Sequence, residues 1–346
     1  MKTVQEVTIY DIARTLKVSP ATVSRSLSNH PAVSKKTRKR ISEAAKSMGY
    51  RSNLFASNLR KQRTNTLGVI VPKLNSNFVS SVLAGIEKIA NQSGYNLIIS
   101  QSQENEKKEI ANAATMFNSR VDGLIVSLAF DTKDLSHFDP FFDKGIPVIF
   151  FDRVSYDKSS TNVVIDNFKA GYEATQHLIE QGCKRIAHIT GNLSRNVYAD
   201  RLNGYRLALT EHDLIFQKSQ LIINNLDEQS AIEAAKQVLS MKHRPDGIFI
   251  TNDSCAAICM QVFKEAGLHI PEDIAMVGFN NDLITRIVEP NLTTINYPGE
   301  EMGEIVAHHL VNHLEGIAPM AITNTIILKS ELIIRESSLH HKNASK

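Results

Sequence analysis

The stretch VTIYDIARTLKVSPATVSRSL, residues 7–27, decides the fold of the first part of this chain. Thr8 followed by Asp11 has the spacing of a capping box, which predicts that a helix begins there. Ser19 and Pro20 repeat this signal after a short turn, because a proline at the first helical position loses no amide donor that the helix needs. The pattern therefore predicts two short helices joined by a tight turn.

A third helix is predicted over residues 34–49, with its apolar side chains on one face. Three helices in this order can place the second one in the major groove of duplex DNA. A small three-helix bundle that binds nothing is the alternative. On the second helix Val23 and Leu27 are expected to face inward because they lie four residues apart. The outward side is expected to carry Ala21, Thr22, Arg25 and Ser26.

The distribution of charge favours DNA over the inert bundle. Residues 1–63 contain 14 Lys and Arg but only 3 Asp and Glu, a net charge of +11. The other 283 residues contain 25 basic and 33 acidic residues, a net charge of −8. A basic head on an acidic body predicts a polyanionic partner for the head alone. Several basic side chains lie at the start of the third helix, where the helix dipole is unfavourable for positive charge. Their placement there indicates phosphate binding. They are Lys35, Lys36, Arg38, Lys39 and Arg40.

The run TIYDIARTLKVSPATVSRSL, followed by the Gly49-Tyr50 ending, resembles the amino-terminal signature of the LacI/GalR transcription regulators. The resemblance implies a homodimer that binds a near-palindromic DNA operator and regulates carbohydrate-related genes, most simply as a repressor. It assigns base contacts to Pro20, Ala21 and Arg25, with Arg25 as the bidentate donor to a guanine. The phosphate contacts that it implies are Thr8, Ser19, Thr22, Ser24 and Asn29.

Residues 51–66 are polar and basic, and on composition alone they form a linker. The resemblance implies a hinge helix here that inserts Leu59, with Ala56, into the minor groove and kinks the duplex. Ser52 stands where the family often has proline. Because so short a helix is marginal in water, it should be ordered only with DNA and a second subunit present.

From Leu67 onward, apolar runs alternate with helical segments. Continuous apolar strands separated by helices predict parallel sheets that are covered on both faces. SRVDGLIVS (119–127) parallels HRPDGIFIT (243–251), which suggests two similar lobes. The predicted strands are 67–71, 95–99, 122–126, 147–151, 185–189, 246–250 and 274–279. The predicted helices include 79–93, 105–118, 168–181, 201–212, 229–241 and 254–266.

The expected architecture is a small all-α helix-turn-helix head plus an α/β body of two parallel-sheet lobes. The resemblance implies a body like the periplasmic sugar-binding proteins, with three crossovers between the lobes. We place these crossovers near 161–164, 290–294 and 323–327. The predicted domains are a head at 1–50, a hinge at 51–66 and an effector-binding and dimerisation core at 67–340. Lobe one takes about 67–162 and 292–324, and lobe two takes about 163–291 and 325–340.

Ligands of open parallel sheets bind at the carboxyl ends of the strands. The residues that follow the predicted strands include aromatic, acidic, amide and basic side chains, which suit a polyhydroxylated ligand. Arg201 in RLNGY also matches an arginine that reaches the effector in the resembled family. Asp253 would more simply cap its helix. The candidate effector-binding residues are Phe78, Ser127, Asp152, Arg153, Arg201, Asn252 and Asn280.

Three of these positions allow other interpretations. Asp152 and Arg153 could pair with each other or across the lobes. Asn280 lies in a GFNN run where the family often has an aspartate, and Lys73 stands where an acid is frequent. These two departures would suit a more acidic effector, such as a sugar acid or a phosphorylated sugar.

Nothing in the sequence points to catalysis. The hydrolase, zinc-protease, P-loop and dinucleotide-binding fingerprints are absent, so we expect no enzyme and no cofactor. His309 and His313 could share a metal, but without an evident third ligand a solvated helix face is the simpler interpretation. Three cysteines without framework spacing indicate a reducing compartment. With no leader and no membrane-length apolar run, the predicted location is the cytoplasm, without a membrane partner.

Other classes remain open. The body would fit a solute-binding protein for transport, although the basic head argues against it, and a sugar-active enzyme is less consistent still. Within the regulators, a partner phosphoprotein could replace the small effector. No heptad tail follows the last predicted strand, IILKSELIIRES (326–337), which favours a dimer over a tetramer.

Overall fold

The structure is a computed structural model that describes residues 7–50, 63–155, 160–320 and 325–339. Contacts divide the chain into two compact units, residues Met1–Thr64 and Asn65–Lys346, which we call the head unit and the body. The predicted hinge residues Ala56 and Leu59 lie outside the described residues. Within the described ranges, no helix is long and apolar enough to cross a membrane.

The described residues of the head unit form three helices, α1 (Ile9–Leu16), α2 (Pro20–Leu27) and α3 (Lys35–Ser47). The predicted capping box of α1 is present, and the Ser19 hydroxyl accepts the Thr22 amide at the start of α2. Ile12, Val23 and Ile41 come from the three helices and are almost completely buried against one another. The helix-turn-helix prediction is confirmed. Ser26, however, is only 2% exposed, so its placement on the outward side of α2 was wrong.

The body contains two six-stranded sheets, one in each lobe. Lobe one holds β1 (Thr66–Val71), β2 (Asn96–Gln101), β3 (Gly123–Val126), β4 (Val148–Phe151), β5 (Thr161–Ile165) and β11 (Thr325–Leu328). The strand order is β11-β5-β4-β3-β1-β2 and every pairing is parallel.

Lobe two repeats this arrangement with one reversed edge. It holds β6 (Ile186–Thr190), β7 (Leu221–Ile223), β8 (Gly247–Ile250), β9 (Ala275–Asn280), β10 (Thr293–Asn296) and β12 (Glu331–Ile333). The order is β12-β10-β9-β8-β6-β7, and only the edge pair of β10 and β12 is antiparallel. The sequence prediction of two parallel-sheet lobes is thus confirmed.

Of the three segments that we predicted as crossovers, 161–164 lies inside a strand, and 290–294 and 323–327 each overlap the start of one. Residues 161–164 belong to β5, which pairs with β4 in lobe one, so lobe one extends to Ile165. Residues 293–296 form β10, which pairs with β9 in lobe two, so the second crossover follows Asn296. Residues 325–328 form β11 in lobe one, and the last predicted strand is in fact two strands in different lobes. The predicted lobe boundaries therefore ended lobe one too early and began it again too early.

Helices cover both faces of each sheet. Lobe one has α4 (Asn77–Gln92), α5 (Glu106–Asn118), α6 (Asp139–Asp143) and α11 (Gly299–Leu314). Lobe two has α7 (Asn167–Glu180), α8 (Asn196–Glu211), α9 (Glu228–Ser240) and α10 (Asp253–Glu265). Alternate residues of one strand pack on opposite faces: Phe249 of β8 packs towards α7 and α8, and Ile248 packs towards α9 and α10. Strands buried on both sides explain why the apolar runs are continuous.

Close backbone contact between α7 and α8 fixes the position of a candidate ligand residue. A β-carbon on Gly171 would lie 2.3 Å from the Arg201 carbonyl oxygen, and one on Gly204 would lie 2.0 Å from the Phe168 carbonyl oxygen. Only glycine permits helices to approach this closely at these positions. The two glycines therefore set where α8 presents Arg201.

Candidate functional site

The outward face of α2 carries the residues that the sequence predicted to read DNA bases. Ala21 and Arg25 are exposed, and Pro20 is half-buried at the first helical position. Among the described residues, the Arg25 guanidinium has no hydrogen-bond or ion-pair partner. It is therefore free to present two parallel donors to a base edge.

The predicted phosphate-contact residues are accessible, but two of them also cap helices. The Thr8 hydroxyl donates to Asp11 Oδ2 at 2.7 Å, and Ser19 Oγ lies 2.8 Å from Thr22 Oγ1. Ser24 is half-buried, and Asn29 is exposed with a left-handed φ of 56° just after α2. Any phosphate bond made by Thr8 or Ser19 must share a hydroxyl that already stabilises a helix start.

The basic cluster at the start of α3 has a structural role as well as its predicted one. Arg38 Nη2 donates to the carbonyl oxygens of His30 and Val33 at 3.0 and 3.3 Å, and Arg40 Nη2 donates to the Leu16 carbonyl at 2.6 Å. These bonds tie α3 to the turns on either side of α2. Sequence reasoning missed this bracing because charge composition does not show where a guanidinium points.

A cavity of about 280 Å³ lies between the two lobes at the carboxyl ends of the strands. Six of the seven predicted effector residues line it: Phe78, Asp152, Arg153, Arg201, Asn252 and Asn280. Ser127 does not line this cavity. It is completely buried behind Asp152, with its hydroxyl 3.4 Å from Asp152 Oδ2.

Asp152 links the two lobes at the floor of the cavity. Its Oδ1 accepts a 2.8 Å hydrogen bond from the Tyr297 hydroxyl, and its carbonyl oxygen accepts the Asn196 side-chain amide at 3.1 Å. Burial raises the pKa of Asp152, and the adjacent Arg153 counteracts this. Its φ of 57° is unusual for a residue with a β-carbon, and strained backbone of this kind clusters at functional sites.

Arg153 is held by partners from both lobes. Nη1 donates to Glu104 Oε2 at 2.7 Å, Nη2 donates to the Tyr198 hydroxyl at 3.1 Å, and the guanidinium lies 4.3 Å from the Phe130 ring centre. Burial alone would lower the pKa of Arg153, but Tyr198 and Glu104 raise it overall. Arg153 Nε also lies 3.9 Å from Asp152 Oδ2. Both predicted pairings, with Asp152 and across the lobes, therefore occur.

Arg201 is a buried cation to which no carboxylate of the described residues bonds directly. It is 3% exposed, Nε donates to Asn167 Oδ1 at 2.8 Å, and its guanidinium carbon lies 3.5 Å from the Phe279 ring centre. Burial lowers its pKa. The helix that carries it begins at Asn196, so Arg201 lies in the second turn of α8 and does not begin the helix as predicted. A buried guanidinium beside a cavity is placed to bind a polar ligand.

The helix-capping role expected of Asp253 belongs instead to its neighbour Asn252. Asn252 caps α10, because its side chain accepts the Cys255 amide at 2.9 Å, and it also lines the cavity. Asp253, predicted as the cap, is completely buried and bonds to other parts of lobe two. Adjacent Asn and Asp are both good capping residues, so the sequence alone could not distinguish them.

Two aromatic residues at the cavity were missed by the sequence analysis. Tyr297 stacks on Phe78 with ring centres 4.1 Å apart, and its hydroxyl donates the hydrogen bond to Asp152. Tyr198 contacts Arg153 from the first turn of α8. The spacing of Tyr198, Leu202, Tyr205 and Leu209, all buried, has the period of a helix and could have revealed the true start of α8.

No group of three or more potential metal ligands occurs among the described side chains. His313 Nδ1 instead accepts the Met320 amide at 2.9 Å. Cys255 and Cys259 are buried in the core between β8 and α10, as their apolar surroundings predicted.

The chain is similar to known regulators over almost its whole length. Residues 64–332 match the family described as periplasmic binding proteins and sugar binding domain of LacI family, and residues 8–53 match bacterial regulatory proteins, lacI family. Catabolite control protein A of Priestia megaterium is 33% identical over 309 residues, which is 89% of this chain and 92% of that protein.

Solved structures of transcriptional regulators have the same fold as this chain. A complex of the transcriptional regulator CelR with cellobiose superposes with a TM-score of 0.73 and 25% identity, covering 96% of this chain and all of that one. A lac repressor dimer bound to operator and the anti-inducer ONPF superposes with a TM-score of 0.86. At 24% identity over 97% of this chain and 100% of that one, the second likeness supports the fold alone. With both the head and the body matched, this chain belongs to the LacI family of DNA-binding transcriptional regulators.

Proposed function

We propose that this chain is a cytoplasmic repressor of carbohydrate-related genes, controlled by a sugar or sugar derivative bound between the lobes of its body. The observation that carries the proposal is Arg201, a buried cation at an interlobe cavity on a chain that also has a DNA-binding head. Such a ligand can act on DNA binding only by favouring one arrangement of the lobes over another.

The DNA-binding part of the proposal rests on α2. Arg25 would donate twice to a guanine, while Pro20 and Ala21 offer only apolar contact, for instance to thymine methyl groups. Thr8, Ser19, Thr22, Ser24 and Asn29 would position the head on phosphates. Leu59, with Ala56, would wedge into the minor groove at the centre of the operator.

The shape and chemistry of the cavity support a polyhydroxylated effector. The Phe78 and Tyr198 rings offer apolar walls, and Asn252 and Asn280 offer amide donors and acceptors. Three cations but five carboxylates line the cavity, so the charges do not support the acidic effector suggested by Lys73 and Asn280. The cations are Lys73, Arg153 and Arg201, and the carboxylates are Glu104, Asp152, Asp227, Glu228 and Asp282.

We further propose that the body forms a homodimer through an apolar surface that spans α10 and the turn after β9. Leu283 and Ile287 are 63% and 64% exposed there. They adjoin a groove of about 660 Å³ lined by Ile258, Ile284 and Val288 among others. Large apolar side chains clustered at the surface mark an interface. A dimer would present two heads to the two halves of a near-palindrome.

Isothermal titration of the full chain against neutral, amino and acidic monosaccharides and disaccharides tests the effector proposal. We expect a neutral sugar to bind with one site per chain and to change operator affinity measured in parallel by anisotropy. Arg201→Met should lose the binding, whereas Arg206→Met, five residues along the same helix, should keep it. Absence of binding by every sugar would refute the effector proposal and favour control by a partner protein.

A further inference from the structure

The cavity wall contains a short stretch of strained backbone at the end of β9. Asn280 has a φ of 119° and Asn281 has a φ of 59°. Both are left-handed values, and 119° is one that residues with a β-carbon rarely adopt. Strain of this kind persists only where the surrounding contacts hold it, and it clusters at functional sites. Asn280 lines the cavity, so the contacts that hold its backbone also shape the site.

Asn281 ties this stretch to the rest of lobe two. Its backbone amide donates to the Thr294 hydroxyl at 3.3 Å, and its Nδ2 donates to Asn296 Oδ1 at 3.1 Å, both on β10. Its Oδ1 accepts a 2.8 Å hydrogen bond from Arg335 Nη2. Both polar atoms of the Asn281 side chain are therefore bonded, directly beside the more strained residue.

Arg335 reaches Asn281 from a distant part of the chain. It lies in the segment after β12, 54 residues from Asn281, and it is not among the described residues that line the cavity. Its Nη1 donates to the Leu292 carbonyl at 2.8 Å, and its backbone amide donates to the Thr293 hydroxyl at 2.8 Å. A guanidinium is a rigid planar fork, so the bond at one nitrogen fixes the direction in which the other donates. Arg335 therefore braces Asn281 in one geometry.

The strained stretch also contacts lobe one. The Asp282 carboxylate accepts hydrogen bonds from the side chains of Asn280 and of Asn77, the first residue of α4. The position of the Asn280 amide is thus set from lobe two through Asn281 and is felt in lobe one through Asp282.

We propose that Arg335 is a positioning residue for effector binding: through Asn281 it holds Asn280 in its strained conformation, which fixes the Asn280 amide in the cavity wall. This rests on the proposed effector role of the cavity. Arg335 touches no effector, and its influence on binding passes through Asn280. An amide can both donate and accept, so a fixed one can bond a sugar hydroxyl in a single orientation.

The strain at residue 280 can be measured without any effector. Asn280→Gly and Asn280→Ala both remove the amide and differ only in the β-carbon, so their relative stability in urea reports the strain. Such strain is worth roughly 5–150-fold in the unfolding equilibrium constant, against roughly 2–5-fold in favour of alanine from the unfolded chain. We expect the glycine variant to be the more stable one when Arg335 is present.

Removing the brace should reverse that order. In an Arg335→Met background the backbone at residue 280 relaxes, so the alanine variant should become the more stable one by roughly 2–5-fold. Arg244→Met, at an exposed arginine of the same lobe, is the matched control and should leave glycine favoured. The same glycine-to-alanine ratio with Arg335 and with Arg335→Met would overturn the inference.

A second variant covers the case in which Arg335→Met does not fold. Asn281→Gly removes the side chain that Arg335 holds, and glycine adopts the φ of 59° without strain. It should reverse the order of the two Asn280 variants as Arg335→Met does. A glycine advantage that survives in Asn281→Gly would contradict the proposed route from Arg335 to Asn280.

Binding shows whether the brace serves the effector or only the fold. The probes are D-glucose, D-galactose, D-mannose and D-ribose, titrated by calorimetry against the full chain. For the tightest binder among them, Arg335→Met should weaken affinity about 2–10-fold, the worth of one neutral hydrogen bond. In an Asn280→Ala background Arg335→Met should have no further effect, because the amide that it positions is absent. Equal weakening in both backgrounds would show a role in folding alone and would refute the positioning role.

The two proposals fail in different ways. If none of the four sugars binds but the order of the glycine and alanine variants reverses, the sugar effector fails and the bracing of Asn280 by Arg335 stands. If a sugar binds and the order does not reverse, the effector proposal stands and the role of Arg335 is refuted.

Discussion

Replacing Arg201 by methionine tests whether its guanidinium is needed for the effector response or for folding. Methionine fills a similar volume and carries no charge, so it removes the guanidinium without leaving a large cavity. Arg201 is 3% exposed and lines the interlobe cavity, yet within the described part of the chain no carboxylate bonds directly to it. The predicted consequence is loss of effector response with little loss of folding.

The magnitude follows from the contacts of the guanidinium. Its 2.8 Å bond to Asn167 Oδ1 is a charged hydrogen bond of about 1.5–3 kcal/mol. Its position 3.5 Å from the Phe279 ring centre adds about 2 kcal/mol, as expected of a desolvated cation–π contact. The desolvation of a buried ion costs several kcal/mol and opposes both. These terms nearly cancel, so the free energy of unfolding of Arg201→Met should lie within about 2 kcal/mol of the wild type.

Urea unfolding and operator anisotropy on the same preparations measure both consequences. The variant should bind operator with wild-type affinity and should not respond to a sugar that releases or strengthens the wild-type complex. A normal sugar response would refute the assignment of Arg201 to the effector. A loss of stability well beyond 2 kcal/mol would show that the guanidinium is needed for folding and that the energy balance above is wrong.

Other substitutions test other parts of the account. Arg25→Ala should cost about 1–3 kcal/mol of operator discrimination in competition anisotropy, unlike the exposed Arg14→Ala, and unchanged base preference would contradict the recognition role of α2. The pKa of Asp253 is about 7 in the fold and about 3.8 in the unfolded chain, so its contribution to the free energy of unfolding should fall as pH rises from about 4 to 7. Asp253→Asn should then be about 4 kcal/mol more stable than the wild type at pH 8 and equal to it near pH 4 in urea melts, and parallel pH profiles would contradict this. Leu283→Asp should convert a dimer into monomers in sedimentation, and an intact dimer would move the interface elsewhere. Gly204→Ala forces a β-carbon to within 2.0 Å of a carbonyl of α7 and should cost about 1–3 kcal/mol in thermal unfolding, whereas wild-type stability would show that the helices can separate.

The head could be predicted from sequence because its signals are local. A capping residue and the helix start that it stabilises lie within four positions, as at Thr8 and Ser19. Ser26 was misplaced because its burial depends on how α2 meets the rest of the head, which no local pattern records. Among the described residues the hydroxyl of Ser26 has no hydrogen-bond partner, so no pairing rule could have located it.

The crossovers could not be placed because strand membership depends on pairing. Residues 161–164 (TNVV) and 293–296 (TTIN) are mostly β-branched, which fits a strand or an extended crossover equally well. Only their pairing with β4 and β9 shows that each lobe continues through them. One consequence was to miss Tyr297, which follows β10 and bonds to Asp152.

Most cavity residues could be predicted because the carboxyl ends of parallel strands converge. The rule correctly placed Asp152 and Asn252 at the cavity. It failed for Ser127, which is buried behind Asp152 with its hydroxyl directed at Asp152 Oδ2. It also could not show that Asn252 caps α10 while Asp253 turns into the lobe, because that choice depends on Thr294, which is distant in sequence.

Operator binding by the full chain as a function of salt tests most directly whether a basic head controlled by the body holds duplex DNA. A fluorescent fragment from upstream of the gene is titrated by anisotropy between 50 and 200 mM salt, with and without the sugar that binds best. Roughly 6–10 phosphate contacts predict that affinity falls by about 10³–10⁵ across this range, and the sugar should change affinity at every salt concentration. An operator affinity that changes with neither salt nor sugar would contradict both DNA binding by the basic head and its control by the body.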